Sequence, residues 1–123
     1  MTTEPYKPFE FRTVPAILVE WSGAKRLGEL LAERFSARAA AIVTDAGLVD
    51  AGLIRPVCEG LEAAGFRVSV FKDVVADPPE SVLAACVAQA REHRADIVVG
   101  LGGGSSLDVA KMTAVMLKSD QPL

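Results

Sequence analysis

The stretch that decides the fold is residues 97–111, Ile-Val-Val-Gly-Leu-Gly-Gly-Gly-Ser-Ser-Leu-Asp-Val-Ala-Lys. It begins with three β-branched apolar residues, which are typical of a buried strand. The sequence from Ser106 to Leu117 predicts a helix. A glycine-rich turn therefore joins a strand to a helix, and this is the place where open α/β sheets bind ligands.

The turn itself has the composition of an anion-binding site. Gly102, Gly103 and Gly104 carry no Cβ atoms, so a bulky anion can approach their backbone N–H groups. The following helix offers unpaired N–H groups and the positive end of its dipole, and Ser105 and Ser106 add hydroxyl donors. These features predict a phosphate-binding turn. The alternative is a tight turn that only lets the helix pack close to the sheet.

Two better-known phosphate motifs are not matched. The dinucleotide fingerprint G-x-G-x-x-G fails because Ser105 stands where its last glycine should be. The P-loop fails because no Gly-Lys-Ser or Gly-Lys-Thr follows the glycines. The residues alone therefore indicate a phosphate site without naming its ligand.

The rest of the chain repeats the unit of strand followed by helix. Strands are predicted at 15–19, 39–44, 67–71 and 97–99, and helices at 24–35, at 53–64, from Asp77 onward and at 106–117. Connections of this length join parallel strands. We expect an α/β fold: an open, mostly parallel, Rossmann-like sheet with helices on both faces. Residues 1–14 are expected to be a lead-in with a possible edge strand at 9–12 that pairs with 15–19.

Length and composition exclude several classes of protein. The 123 residues allow one domain, and 50% apolar and 24% charged residues exclude a disordered tail. The net charge of -3 argues against nucleic acid as a partner. No apolar run approaches 18 residues, so no membrane span is expected. The two cysteines form no C-x-x-C pair and fit reduced thiols, which favours a cytoplasmic location.

The glycine turn also carries a family resemblance. Gly102-Gly103-Gly104-Ser105-x-x-Asp108-x-Ala110-Lys111 resembles the signature of the iron-containing (group III) alcohol dehydrogenases. The resemblance runs from about Pro15 to Leu117 and includes Ile42–Asp45, Val74–Pro78 and Ala95-Asp96. The glycerol dehydrogenase and dehydroquinate synthase branch also uses a triglycine turn. The spacing of Ser105, Asp108 and Lys111 favours the alcohol dehydrogenases.

The resemblance implies a two-domain enzyme that moves a hydride between NAD(P) and an alcohol or aldehyde. Its first domain binds the dinucleotide, and its second, all-helical domain holds a catalytic divalent metal, iron or zinc. By this resemblance the triglycine turn holds the pyrophosphate, and the cofactor lies along Gly102, Gly103, Gly104, Ser105, Ser106, Leu107 and Asp108. The structural alternative for Asp108 is a favourable interaction with the helix dipole.

Two further aspartates are candidate cofactor contacts. Asp45 closes a predicted strand and could accept hydrogen bonds from the adenosine ribose, and its charge would repel a 2′-phosphate, favouring NAD over NADP. The alternative is a turn aspartate that satisfies its own loop. Asp77 stands where the family usually has asparagine near the cofactor, and its structural alternative is a helix N-cap.

The chain is expected to be part of a longer protein. Residues 15–123 would be a truncated dinucleotide-binding domain, and the helical metal-binding domain would be absent. The family metal is held by one aspartate and three histidines, whereas this chain has one histidine, His93, so no metal site and no catalytic residue is assigned. The chain alone is expected to be inactive and to associate, as a dimer in the full enzyme. The alternative is a free-standing, flavodoxin-like nucleotide- or phosphate-binding module without catalysis.

Overall fold

A computed structural model describes residues 8, 10 and 13–120 of the chain. Within these residues, three strands, β1 (Ala39–Val43), β2 (Arg67–Phe71) and β3 (Ile97–Gly100), form a parallel sheet in the order β2-β1-β3. In the same part of the chain, a short 3₁₀ helix (Gly23–Arg26) precedes five α-helices: α1 (Leu27–Arg34), α2 (Ala46–Asp50), α3 (Arg55–Ala63), α4 (Glu80–Glu92) and α5 (Gly104–Met116).

The strand order creates a crevice at one end of the sheet. The chain passes from the central strand β1 outward to β2, and then returns across the sheet to β3 on the other side of β1. Ala40 lies opposite both Val68 and Ile97. Parallel strands whose connections diverge in this way leave an opening at their carboxyl ends, where ligands bind. The glycine turn follows β3 and therefore lies at this opening.

Two apolar cores cover the two faces of the sheet. Side chains along a strand alternate between faces. Ile42 packs with Ile54, Val57 and Leu61 on the side of α1 and α3. Val43 packs in the second core, with Phe71, Cys86, Val109 and Ala110 on the side of α4 and α5. The prediction of an open parallel sheet with helices on both faces is confirmed.

The prediction of a strand at 15–19 is wrong. These residues form no strand, and Ile17 and Val19 are 81% and 93% exposed. The segment has the composition of a strand, but a strand also needs a neighbour whose backbone it can pair with. The described sheet therefore has three strands instead of four. The possible edge strand at 9–12 lies outside the described residues, apart from Glu10.

Helices α1 and α3 touch through their backbones. A Cβ atom on Gly28 would lie 2.4 Å from the carbonyl oxygen of Gly60. A Cβ atom on Gly60 would lie 2.6 Å from the carbonyl oxygen of Lys25. Since a backbone oxygen cannot move aside as a flexible side chain can, both positions need glycine for close packing.

Asp96 ties together the starts of β1 and β3. Its carboxylate accepts a hydrogen bond from the N–H of Ala39 at 2.8 Å and from the N–H of Arg38 at 3.0 and 3.1 Å. The Asp96 N–H in turn donates to the Ala39 carbonyl at 2.9 Å. Burial by itself would raise the pKa of this carboxyl, but the hydrogen bonds from the N–H groups of Ala39, Arg38 and Asp96 itself and the positive charge of Arg67 together hold the pKa below its ordinary value.

We expect Asp96→Asn to destabilise the chain by about 1 kcal/mol at pH 7, because exposed charge-assisted hydrogen bonds are weakened by solvent. The lowered pKa of Asp96 means that this stabilisation is complete above the unfolded-state value of about 4 and disappears as pH falls through the folded-state value. Urea unfolding at pH 7 and pH 3 measures the difference. Glu33→Gln, at an exposed carboxylate on α1, is the control. An equal loss of stability at both pH values would contradict the prediction.

Candidate functional site

The crevice holds a cavity of about 260 Å³. One wall is the glycine turn and the start of α5, residues 103–106. The opposite wall is Val74–Ala76, which follows β2, and Asp45 lies at the end of β1 between them. The structure thus brings together five of the predicted site residues: Asp45, Gly103, Gly104, Ser105 and Ser106.

Two glycines of this region are explained by the fold itself. A Cβ on Gly100 would lie 2.9 Å from the Cβ of Ala110, so this glycine lets α5 pack against β3. Gly102 has φ of 142°, which side chains rarely tolerate, and its Cβ would lie 3.0 Å from the Ser106 hydroxyl oxygen. The alternative of a tight turn is therefore right for Gly102, and Gly100, at the end of β3, adds the close approach of the helix to the sheet.

Gly103 and Gly104 are not explained in this way. Gly103 has φ of -82° and ψ of -169°, which any residue can adopt. A Cβ on either glycine would meet no atom within 4 Å. Neither backbone conformation nor packing within the described chain calls for glycine here. The missing side chains instead leave open space beside the start of α5.

The start of α5 has free hydrogen-bond donors. Its N-cap, Gly103, offers no side-chain cap, and no acidic residue lies in the first turn. The Leu107 N–H donates to the Gly103 carbonyl at 3.1 Å, whereas the N–H groups of Gly104, Ser105 and Ser106 find no acceptor among the described residues. Helix α5 begins two residues before its predicted start, so these donors belong to its first turn and carry its positive dipole end.

One carboxylate oxygen of Asp45 is hydrogen-bonded within its own loop, and the other faces the glycine turn. It is the N-cap of α2, and its Oδ1 accepts a hydrogen bond from the Leu48 N–H at 2.9 Å. Its Oδ2 has no hydrogen-bond partner among the described residues and would lie 3.3 Å from a Cβ on Gly102. The turn alternative for Asp45 is thus correct for one oxygen and leaves the second available to a ligand.

The prediction that Asp77 caps a helix is wrong. Helix α4 begins at Glu80 with Pro79 as its N-cap, and no side chain caps it. Pro79 disfavours the helical conformation at Pro78, so the helix cannot begin directly after Asp77. Asp77 has φ of 45° and is exposed, in a left-handed conformation that aspartate tolerates. It follows the cavity wall in sequence but does not line the cavity.

Three other predicted residues lie outside the cavity lining. Gly102 forms the bend beneath it, and Leu107 packs a methyl group toward Gly100. Asp108 is exposed on α5. Their contact with a cofactor stays a prediction, as does that of Asp77.

Sequence reasoning missed the wall Val74–Ala76 as part of the site, although it recognised this stretch as a family turn. The wall is held by a hydrogen bond from the Val74 N–H to the Thr44 carbonyl at 3.3 Å, next to a backbone bridge between Asp45 and Asp73. The strand order was the signal that could have identified this wall. Because β2 pairs with β1 in parallel, the ends of the two strands lie beside each other. A larger cavity, about 840 Å³, lies along the open edge of β2 and contains none of the predicted site residues.

The described residues do not fit the divalent metal that the resemblance implies. Among them, no group of three or more His, Cys, Asp or Glu side chains could hold a metal ion. His93 is exposed at the C-cap of α4, and Cys58 and Cys86 are free thiols whose pKa values are raised by burial. Within the same part of the chain, no helix is long and apolar enough to cross a membrane.

Comparisons with known proteins identify relatives of this chain. Long-chain-alcohol dehydrogenase 1 of Geobacillus thermodenitrificans is 41% identical over 88 residues, covering 72% of this chain and 22% of that protein. A structure of sulfoacetaldehyde reductase from Bifidobacterium kashiwanohense in complex with NAD+ is 28% identical with a TM-score of 0.71, covering 80% of this chain and 26% of that one. The NADH-dependent butanol dehydrogenase A of Thermotoga maritima shares the fold, with a TM-score of 0.79 at 22% identity over 92% and 29% of the two chains.

These matches concern one part of much longer proteins. The chain spans 22% of the length of the Geobacillus relative and between 26% and 29% of the two solved chains. A family model for iron-containing alcohol dehydrogenase matches residues 15–123, nearly the whole of this chain. The chain therefore belongs to the family of iron-containing alcohol dehydrogenases.

Proposed function

We propose that this chain binds NAD in the crevice between the glycine turn and Val74–Ala76, as the dinucleotide-binding part of an alcohol dehydrogenase. The observation that carries the proposal is the open space at Gly103 and Gly104 beside the uncapped start of α5. Family membership supports the reaction class, hydride transfer between an alcohol or aldehyde and the nicotinamide. It favours this function over a free-standing, non-catalytic module.

The pyrophosphate is the part of NAD that fits the glycine turn. Its negative charge is stabilised by the free N–H groups of Gly104, Ser105 and Ser106 and by the positive end of the α5 dipole. The absence of a Cβ at Gly103 and Gly104 lets phosphate oxygens come within hydrogen-bond distance of the backbone. In the same arrangement Gly102 forms the bend, and Leu107 and Asp108 extend the contact along α5.

The adenosine ribose is the part that fits Asp45. The free Oδ2 of Asp45 can accept hydrogen bonds from the ribose hydroxyls, and its charge repels the 2′-phosphate of NADP. The sulfoacetaldehyde reductase complex with NAD+ supports the choice of NAD. Asp77, in the loop that continues the opposite wall, is proposed as a further cofactor contact.

The chain's own part in the reaction is to bind and orient the dinucleotide. Among the described residues no group of three or more His, Cys, Asp or Glu side chains could hold a metal ion, so the chain alone should not catalyse hydride transfer. The divalent metal and the alcohol or aldehyde would be bound elsewhere in the longer enzyme. We also propose that the full protein is cytoplasmic and forms a dimer. Free thiols support the location, and the exposed apolar side chains of Ile17, Val19 and Trp21 support association.

The test is calorimetric titration of the 123-residue chain with NAD+ and with NADP+. We expect NAD+ to bind at least about tenfold more tightly, a difference of about 1.4 kcal/mol. Asp45→Asn keeps an acceptor for the Leu48 N–H but removes the charge, so it should reduce this preference for NAD+. Asp50→Asn removes an exposed charge from the same helix outside the cavity and should leave the preference unchanged. Absence of NAD+ binding by a folded chain would refute the proposal.

A further inference from the structure

Ser106 lies in the first turn of α5 with its side chain turned back toward the glycine turn. The residue is 2% exposed, and it lines the crevice cavity. Its hydroxyl oxygen would lie 3.0 Å from a Cβ on Gly102, because side chains on a helix point toward the N-terminal end of that helix. The wall of the candidate site therefore contains a polar side chain that is almost completely buried.

The hydroxyl of Ser106 has no hydrogen-bond partner among the described residues. In that part of the chain the hydroxyl of Thr44 also lacks a partner, but its oxygen is sealed from solvent, whereas the oxygen of Ser106 is not. Since the rest of Ser106 is buried, its oxygen is open toward the cavity that the residue lines. Buried polar groups are nearly always hydrogen-bonded, so this unpaired hydroxyl indicates a polar ligand in the cavity.

The free carboxylate oxygen of Asp45 lies beside the same glycine. Asp45 Oδ2 would lie 3.3 Å from the Cβ on Gly102, and the Ser106 hydroxyl oxygen would lie 3.0 Å from that same point. The two oxygens are therefore separated by no more than about the length of two hydrogen bonds. The free chain has no hydrogen bond between them. One small polar group of a ligand can thus contact both oxygens at once.

The chemistry of these two oxygens selects the group that fits between them. The Asp45 carboxylate only accepts hydrogen bonds, whereas the Ser106 hydroxyl both donates and accepts them. A phosphate oxygen at this place would bring a second negative charge close to Asp45, which is unfavourable. A neutral sugar hydroxyl instead donates its hydrogen to Asp45 and accepts a hydrogen bond from Ser106, so both oxygens gain a partner.

We propose that the Ser106 hydroxyl binds the adenosine ribose of the dinucleotide, and not its pyrophosphate, by sharing one ribose hydroxyl with Asp45. Ser106 donates to the oxygen of that ribose hydroxyl, and Asp45 accepts its hydrogen. The backbone N–H of Ser106 remains available to the pyrophosphate, so one residue contacts two parts of the ligand. This inference rests on the proposed NAD binding, and it assigns Ser106 the recognition of ribose over deoxyribose.

The test is calorimetric titration of the 123-residue chain and of Ser106→Ala with NAD+ and with the two NAD+ analogues that lack the 2′- or the 3′-hydroxyl of the adenosine ribose. Ser106→Ala should bind NAD+ about fivefold more weakly, because one neutral hydrogen bond is lost. It should bind one of the two analogues as tightly as the parent chain does, since that analogue lacks the shared hydroxyl. Its melting temperature without ligand should not fall, because alanine only removes an unpaired hydroxyl from a helix.

Ser81→Ala is the matched control, because it makes the same substitution at an exposed serine in the first turn of α4. It should leave the affinity for all three ligands unchanged. If Ser106→Ala weakens the binding of NAD+ and of both analogues equally, or leaves NAD+ binding unchanged, the inference is overturned while NAD binding stands. If the parent chain is folded but binds no NAD+, the proposed function and this inference fail together.

Discussion

Gly103→Val is expected to weaken NAD+ binding at least about 100-fold, or about 2.7 kcal/mol, without unfolding the free chain. The backbone of Gly103 already has angles that valine adopts readily, and its Cβ position has no neighbour within 4 Å. The added side chain therefore meets no atom of the fold, and the weaker preference for valine than for glycine at a helix N-cap should cost about 1 kcal/mol or less. It occupies the space that we assign to the pyrophosphate beside the first turn of α5, and calorimetry with NAD+ measures the loss.

The matched control for this experiment is Ala114→Val, which places the same valine side chain at an exposed position further along α5. It should leave NAD+ affinity within about twofold of the parent chain. Unchanged binding by Gly103→Val would show that the anion lies elsewhere. Unfolding of Gly103→Val would show that the glycine is structural.

Gly28→Ala is expected to destabilise the chain by about 3 kcal/mol, the largest stability effect that we predict for a single methyl group. The new methyl carbon would lie 2.4 Å from the Gly60 carbonyl oxygen and 3.0 Å from the Ala64 Cβ. Helices α1 and α3 would have to separate, and the core that contains Val57 and Leu61 would open with them. Urea unfolding followed by circular dichroism measures the change.

Gly104→Ala is the control, because it makes the same substitution in a helix where the new Cβ meets no atom within 4 Å. Alanine has the higher helix propensity, so this variant should be as stable as the parent chain or more stable by up to about 1 kcal/mol. Equal stability of Gly28→Ala and Gly104→Ala would mean that α1 and α3 are not in backbone contact in solution.

The sequence was informative where a local pattern is sufficient to specify an element. The apolar run at 39–44 and the alternating run at 67–71 became β1 and β2. The predicted helix at 53–64 became α3, Arg55–Ala63. The short helix α2 was not predicted, although Asp45 caps it and Gly52, with φ of 76°, follows its end. The contact between Gly28 and Gly60 gave no signal, since it depends on how two helices approach each other.

The candidate site was predictable to the extent that its residues are adjacent in the chain. The glycines and serines of the turn follow one another, so their chemistry could be identified from the sequence together with the helix that follows. The wall Val74–Ala76 required knowledge of which strand lies beside β1.

The different roles of the glycines provide a way to classify related sequences. Substitution of Gly100 or Gly102 should be rare in any relative that keeps this strand, turn and helix, whether or not it binds a cofactor, because the fold itself constrains them. Gly103 and Gly104 are free of that constraint, so they should diverge only in lineages that have lost dinucleotide binding. An aligned homologue with glycine at the first two positions and larger residues at the last two would thus be recognised as a degenerate, non-binding descendant.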